Sequence, residues 1–213
     1  MKVLITGFDP FDNEKINPAW EAITRLPDNI DDVKILKFQI PTAFIDSYKI
    51  LFRLIDENKP DIVICVGQAG GRFDFTIERV AINIDDARIP DNNGYQPIDV
   101  PIFSDGENAL FSSLPIKSMI FELNKNNIPA SISNTAGTFV CNHIMYSLLY
   151  YIKKNNLNIR GGFIHVPYIR EQIINKKSTP YMELSTIIEA LKISIKTLQK
   201  YKSDIKISGG KEF

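Results

Sequence analysis

A chain of 213 residues that is 44% hydrophobic can bury roughly 70% of its unfolded surface around one core, so a single domain over residues 1–213 is expected. Lysine plus arginine (25) equals aspartate plus glutamate (25), and no basic stripe precedes the lysine-rich end, so nucleic acid is not an expected partner. The opening apolar run Val3 to Ile5 is too short for a signal peptide, and no later run is long enough to span a membrane, so we expect a cytosolic protein with no membrane partner. Cys65 and Cys141 stand far apart with no CxxC, which argues against a disulfide or a zinc site and leaves single-thiol chemistry.

Lys2 to Thr6 forms a compact apolar run ending at Gly7, a buried strand feeding the loop Phe8-Asp9-Pro10-Phe11-Asp12. Phe8 and Phe11 either plug the core beneath that loop or line a pocket at the carboxyl edge of a sheet. Asn17 and Pro18, followed by an apolar face through Trp20 and Ile23, predict an N-cap and a helix running to about Leu26. Val33 to Ile40 is a second strand closed by Pro41, and Ala43 to Asn58 carries apolar residues at helical intervals.

Asp61 to Gly67 is a continuous β-branched run, typical of a strand covered on both faces, which makes Cys65 a packed, inert thiol. The following Gln68-Ala69-Gly70-Gly71-Arg72 could cradle a phosphate, but it matches neither GxGxxG nor GxxxxGK[ST]. Phe75 to Ile84 alternates with period two and places Glu78 on a face with Thr76, Val80 and Ile82. A carboxylate there sits at a solvated sheet margin or is held for a task such as orienting an imidazole. Asp85 to Gly94 is a long polar turn and Gln96 to Asp105 is irregular, a density of loop that often carries function.

A helix is predicted from Ile116 through Leu123, then a short strand from Ile128 to Ser133. The link Asn134 to Thr138 follows, and Ile144, Leu148, Leu149 and Ile152 mark another helix ending near Lys153 and Lys154. Cys141 therefore falls in a first helical turn, where unpaired N–H groups and the helix dipole favour a thiolate and could steady an oxyanion. Gly161 to Pro167 is a strand whose end carries His165. A final amphipathic helix runs from about Leu184 to Ile195, and the tail from Lys202 to Phe213 is expected to be loose.

Alternating strands and helices predict an α/β fold, a three-layer α/β/α sandwich around a largely parallel, mixed twisted sheet. Such sheets place sites at strand ends. The loops after Gly7 and Gly67, the Cys141 joint and His165 all follow one.

Only His143 and His165 are available as imidazoles. His143 lies two residues after Cys141, about 200° around a helix, and should point away from the sulfur, so His165 is the better partner. A thiol paired with imidazole becomes a thiolate-imidazolium pair that attacks an amide carbonyl, and the imidazolium then protonates the leaving amine. Glu78, Asp85, Asp86 and Asp91 all compete to be the group that fixes the ring.

The blocks GFDPF with NPAW, GQAGGR, ERVAINIDDARIPDNNG, SNTAGTFVCNH and FIHVPY, in this order over residues 4–168, resemble the pyroglutamyl peptidase I family, also called pyrrolidone-carboxylate peptidases. The resemblance implies a cytosolic cysteine peptidase that removes an N-terminal pyroglutamyl residue through a thioester, uses no metal or cofactor and is commonly a homotetramer. It places the family's glutamate, cysteine and histidine on Glu78, Cys141 and His165. Its substrate-binding positions fall on Phe8, Phe11, Gln68, Arg88 and Val140, with Asn17 as a further one. Two positions depart from the family pattern: Asp12-Asn13-Glu14-Lys15 lacks the glycine frequent after PF, and Ala19 stands where serine is common. A small neutral lactam suits an apolar slot between Phe8 and Phe11 with one amide partner such as Gln68. A phosphate-dependent transferase built on Gly70, Gly71 and Arg72, or a non-catalytic small-ligand module, are the competing readings.

Overall fold

The computed structural model describes residues 1–210. In chain order its strands are β1 (Lys2–Phe8), β2 (Asn29–Ile30), β3 (Val33–Ile40), β4 (Ile62–Gln68), β5 (Phe75–Glu78), β6 (Val80–Ile82), β7 (Ala109–Phe111), β8 (Ala130–Ser133) and β9 (Arg160–Val166). The helices are α1 (Pro18–Thr24), α2 (Phe44–Asn58), α3 (Ile116–Lys125), α4 (Val140–Lys154), α5 (Arg170–Ile173) and α6 (Leu184–Lys200). Seven strands form one sheet in the order β2-β3-β1-β4-β9-β5-β8, while β6 and β7 pair as a separate antiparallel ribbon.

The central strands are buried throughout, and successive side chains alternate between two apolar layers. Val3, Ile5, Ile62, Ile64, Ile77 and Ile164 face α1, α3 and α6, where Ile23, Met119 and Leu191 meet them. Leu4, Val63, Cys65 and Phe163 face α2 and α4, against Leu51, Ile144 and Leu148. This is the expected sandwich, and the sheet is mixed because β2 and β5 run antiparallel to their neighbours β3 and β9.

The strand expected over Phe75 to Ile84 is broken at Arg79. Its N–H donates to Ser133 O at 2.9 Å and its carbonyl accepts from Ser112 N at 2.9 Å, handing the chain from the large sheet to the ribbon. Glu78 thus ends β5 rather than lying inside a longer strand. The short β2 and β7 carry too few residues for a period to show, and α1 stops at Thr24 rather than Leu26. The tail is not loose at its start. Asp204 accepts from Lys117 N (3.0 Å) and Ser118 N (2.8 Å), capping α3 across 86 residues of sequence. Residues 211–213 of that expected loose tail lie outside the described residues.

The polar loop after β6 is fixed by its own carboxylates. Asp91 accepts from Phe44 N at the start of α2 (2.9 Å) and from Asn93 N and Tyr95 N (2.9 Å each). Asn92 Nδ2 reaches Asp9 Oδ1 (3.1 Å) and Pro10 O (2.9 Å), so this loop and the one after β1 are tied together.

Candidate active site

Register brings two of the candidate groups, His165 and Glu78, to one face. Gly67 in β4 pairs with His165 in the parallel β9, and His165 pairs with Thr76 in the antiparallel β5. Paired residues point to the same side of a sheet, and Glu78 lies two positions beyond Thr76, so it shares that side. Cys141 comes from above, on α4. A Cβ on Gly67 would lie 2.8 Å from Cys141 Sγ, which places the sulfur on Gly67, one strand away from His165. Neighbouring strands are about 4.8 Å apart. Glycine is needed at position 67 because the sulfur occupies the volume a side chain would take.

His165 Nδ1 lies 2.7 Å from Glu78 Oε1, and Arg72 Nη1 donates to the same oxygen at 2.7 Å. Glu78 is fully buried. Burial alone would raise its pKa, but the hydrogen bond and charge of His165 and the charge of Arg72 outweigh it and hold the carboxyl below its ordinary value. Burial lowers the His165 pKa, and Arg72 adds to that against the opposing pull of Glu78. The pair at rest is therefore an ionised Glu78 and a neutral imidazole whose Nδ1 carries the proton, leaving Nε2 as a free base.

Cys141 is the second residue of α4 and partly exposed. The helix start has Phe139 as its N-cap, with no side chain capping it, so first-turn N–H groups remain open beside the sulfur. Two influences oppose the thiolate that the helix start favours. Burial first, then the Glu78 carboxylate, pushes the thiol up to about 12, with Arg72 pulling the other way. Cys65 is fully buried and also pushed up to about 12, by burial, in keeping with an inert packed thiol.

The strand-end logic holds for Phe8, Gln68 and His165 but not for the Cys141 joint. β8 runs antiparallel to β9, and Ser133 ends opposite Glu78, so the link 134–139 must climb back to the site. It is braced on the way. Thr138 O accepts from Asp86 N (3.0 Å), Thr138 Oγ1 donates to Asp86 O (2.8 Å), and Asn142 clamps β6 through Ile82 N, Ile82 O and Ile84 O.

Of the four competing carboxylates, Glu78 reaches His165. Asp85 instead meets His143 Nδ1 at 2.8 Å, in a buried pair whose ring packs against Phe44 and Tyr48, away from the sulfur. Asp91 caps α2, and Asp86 is exposed.

Phe8 is buried and its ring lies 6.5 Å from Phe163, which in turn lies 4.7 Å from His165. Phe11 is half-exposed and faces Phe139 at 6.1 Å. Phe139 was not singled out by the sequence, although an aromatic just before a nucleophile candidate was visible there. Val140 is buried beside Cys141. The Gln68 carboxamide points to the opposite face and accepts from Gln172 Nε2 at 2.8 Å. Asn17 spends its side chain on Ala19 N and Asp9 O, at 3.1 Å each, capping α1 and pinning the loop. Arg88 is exposed, with no ion pair among the described residues. Asp12 and Asn13, where the family's glycine is missing, both adopt positive φ, 52° and 61°.

Comparison with known proteins gives one consistent answer. The family model described as pyroglutamyl peptidase matches residues 1–201. A pyrrolidone-carboxylate peptidase of Brachyspira hyodysenteriae is 66% identical over 197 residues, covering 92% of this chain and 98% of that protein. One from Clostridium perfringens is 57% identical over 210 residues, 99% of each chain. The crystal structure of pyroglutamyl peptidase I from Bacillus amyloliquefaciens superposes with a TM-score of 0.94 at 48% identity, over 97% of this chain and 99% of that one. The pyrrolidone carboxyl peptidase from Thermococcus litoralis gives 0.93 at 39% identity, over 97% and 99%.

Proposed function

This chain belongs to the pyroglutamyl peptidase family, cysteine peptidases that remove an N-terminal pyroglutamyl residue, and we propose that Cys141, His165 and Glu78 are its nucleophile, general base and orienting carboxylate. The observation that carries this reading is the 2.7 Å contact between His165 Nδ1 and Glu78 Oε1 on the sheet face where Cys141 Sγ rests against Gly67.

The scissile bond is the amide between the pyroglutamyl carbonyl and the next residue. As Sγ attacks that carbonyl carbon, its proton passes to His165 Nε2, and Glu78 stabilises the imidazolium through Nδ1. The oxyanion is met by the open N–H groups of the first turn of α4. Collapse breaks the C–N bond, the amine leaves with the proton from Nε2, and a thioester remains. Water then gives a proton to Nε2 as it attacks, the C–S bond breaks, Cys141 regains its proton, and pyroglutamate is released.

Phe8, Phe11 and Val140 form apolar walls for the lactam ring. Gln68 spends its carboxamide oxygen on Gln172, which leaves its Nε2 hydrogens as donors for the lactam carbonyl. Arg88 is free to reach the substrate from the loop tied to Asp86 and Thr138. A lactam partner left unpaired costs roughly 1 to 3 kcal/mol, so a prolyl ring is rejected. We further propose that the chain is one cytoplasmic peptidase domain, assembles as a homotetramer, and needs no metal, cofactor, nucleic acid or membrane.

Release of a fluorescent amine from a pyroglutamyl amide, with and without iodoacetamide, tests the assignment. Turnover abolished by alkylation and by Cys141→Ser or His165→Ala, with the fold intact, is expected. Near-native turnover by Cys141→Ser would overturn it, and turnover that requires added phosphate would favour a transferase.

A further inference from the structure

The glycine loop after β4 carries a cation that the reaction above does not use. We propose that Arg72 is a positioning residue that braces Glu78 against the link carrying Cys141, so that carboxylate, imidazole and thiol stay in line. The proposal rests on the reading of Glu78, His165 and Cys141 as the reacting set.

The loop turns so that this can happen. Gly71 has a φ of +91°, and a Cβ on Gly70 would lie 2.3 Å from the Tyr168 ring, so both glycines serve the chain's path back toward β5. Neither is needed to hold phosphate. Arg72 then spreads its fork over two elements: Nη1 donates to Glu78 Oε1 (2.7 Å) and Thr76 Oγ1 (2.5 Å), and Nη2 donates to Thr135 O (3.1 Å). Thr76 is the register partner of His165, and Thr135 lies in the link that climbs to Cys141. One planar group therefore joins the strand that holds the carboxylate to the segment that delivers the nucleophile.

The charge is needed as well as the geometry. Glu78 Oε1 receives two donors, while Oε2 is buried and has no partner among the described residues. An ionised carboxylate removed from water is costly unless a cation is paired with it. His165 is neutral at rest and supplies a hydrogen bond only. Arg72 is the positive group in contact. Its charge also opposes a premature imidazolium and favours the thiolate that forms during attack. A lysine could place one ammonium near Glu78 but could not hold Thr135 with a second nitrogen.

Arg72 also lines a cavity of about 250 Å³ with Thr76, Ser133 and Thr135, which gives a small cation a route to the vacated position in a truncated variant.

The test compares Arg72→Ala, Arg72→Met and Arg72→Lys with the parent enzyme on a pyroglutamyl amide. Steady-state kinetics across pH, iodoacetamide alkylation rate and melting temperature are recorded for each. Expected are a kcat loss on the order of 10²-fold in the alanine and methionine variants with KM changed by less than about threefold. The acid limb of kcat/KM should move to higher pH, because the cation that opposed protonation of His165 is gone. Alkylation should slow, and Arg72→Lys should recover part of the loss. Millimolar methylguanidinium should restore activity to Arg72→Ala, and ethylammonium should restore less. Unchanged kcat and pH profile in both truncated variants, while His165→Ala is inactive, would overturn the inference and leave the reacting set standing. A kcat loss that follows melting temperature alone, with an unmoved acid limb and no guanidinium rescue, would also overturn it. An active His165→Ala would instead remove the reading on which the inference rests.

Discussion

Adding one methyl group at Gly67 is the sharpest perturbation of the proposed chemistry, because it removes none of the proposed reacting groups and changes only where they sit. A Cβ built there lies 2.8 Å from Cys141 Sγ and 2.8 Å from Phe163 Cζ. Carbon atoms in good contact are about 3.5 to 4.0 Å apart. Both contacts are short, so the sulfur and the ring each have to yield by roughly 0.7 Å or more. Phe163 is fully buried and packed beside Phe8 and His165, so most of the displacement falls on the partly exposed thiol and on the backbone at Gly67. A misplacement near 1 Å costs about 10²-fold in rate, and overpacking a buried site costs about 1 to 3 kcal/mol. Gly67→Ala should therefore lose about 10²-fold in kcat/KM on a pyroglutamyl amide, with a modest fall in stability measured by urea unfolding. Cys141 should still react with iodoacetamide at an altered rate. A variant within about threefold of the parent in kcat/KM would show that the sulfur does not work from its place against Gly67.

Glu78→Gln should be impaired less than Cys141→Ser, by on the order of tenfold or more in kcat, since an orienting group usually matters less than the nucleophile. Equal losses at matched melting temperature would contradict the orienting role. Asp12→Gly should stabilise the fold by up to about 1 kcal/mol, because Asp12 is exposed at a φ of 52° where glycine carries no Cβ penalty. Loss of stability in urea unfolding would show that Asp12 makes a contact worth more than its strain. Stability should fall on acidification. Glu78, lowered from 4.5, favours the fold above that value and loses its contribution as pH drops through its folded pKa. His165, lowered from 6.5, is buried neutral, and its contribution fades as pH drops below 6.5. Both signs agree, and a melting temperature that rises from about pH 7 to pH 5 would contradict them.

The sequence made the sandwich legible where burial imposes a period. Val33 to Ile40 was assigned with its observed bounds, because an eight-residue strand closed by proline leaves little choice. Phe75 to Ile84 misled, since alternation continues through Arg79 while the hydrogen-bond partners change there from β8 to Ser112. Period reports which face a side chain takes and says nothing about which strand receives the backbone. Placing Glu78 beside Thr76 on one face was legible for the same reason, whereas period left four carboxylates open and the family resemblance alone pointed to Glu78, because the choice depends on antiparallel pairing of β5 with β9. The side-chain direction of Gln68 was equally hidden, as it is set by Gln172, 104 residues away.

The thiol stands in a first helical turn as expected, and its surroundings pull its charge in both directions, which bears on mechanism. A helix N-terminus favours the anion, but Glu78 lies on the same face and opposes it, with burial acting in the same direction as Glu78. An ionised carboxylate on the same face as a nucleophile would be a defect if the thiolate had to exist before substrate arrived. It becomes useful if the proton leaves sulfur only as the S–C bond forms, because the negative charge then passes to the oxyanion and the positive charge appears on His165, next to Glu78. The same carboxylate that disfavours the resting thiolate thus favours the imidazolium of the transition state, which is where differential stabilisation raises the rate. Such an arrangement also keeps the resting thiol less prone to oxidation than a standing thiolate would be.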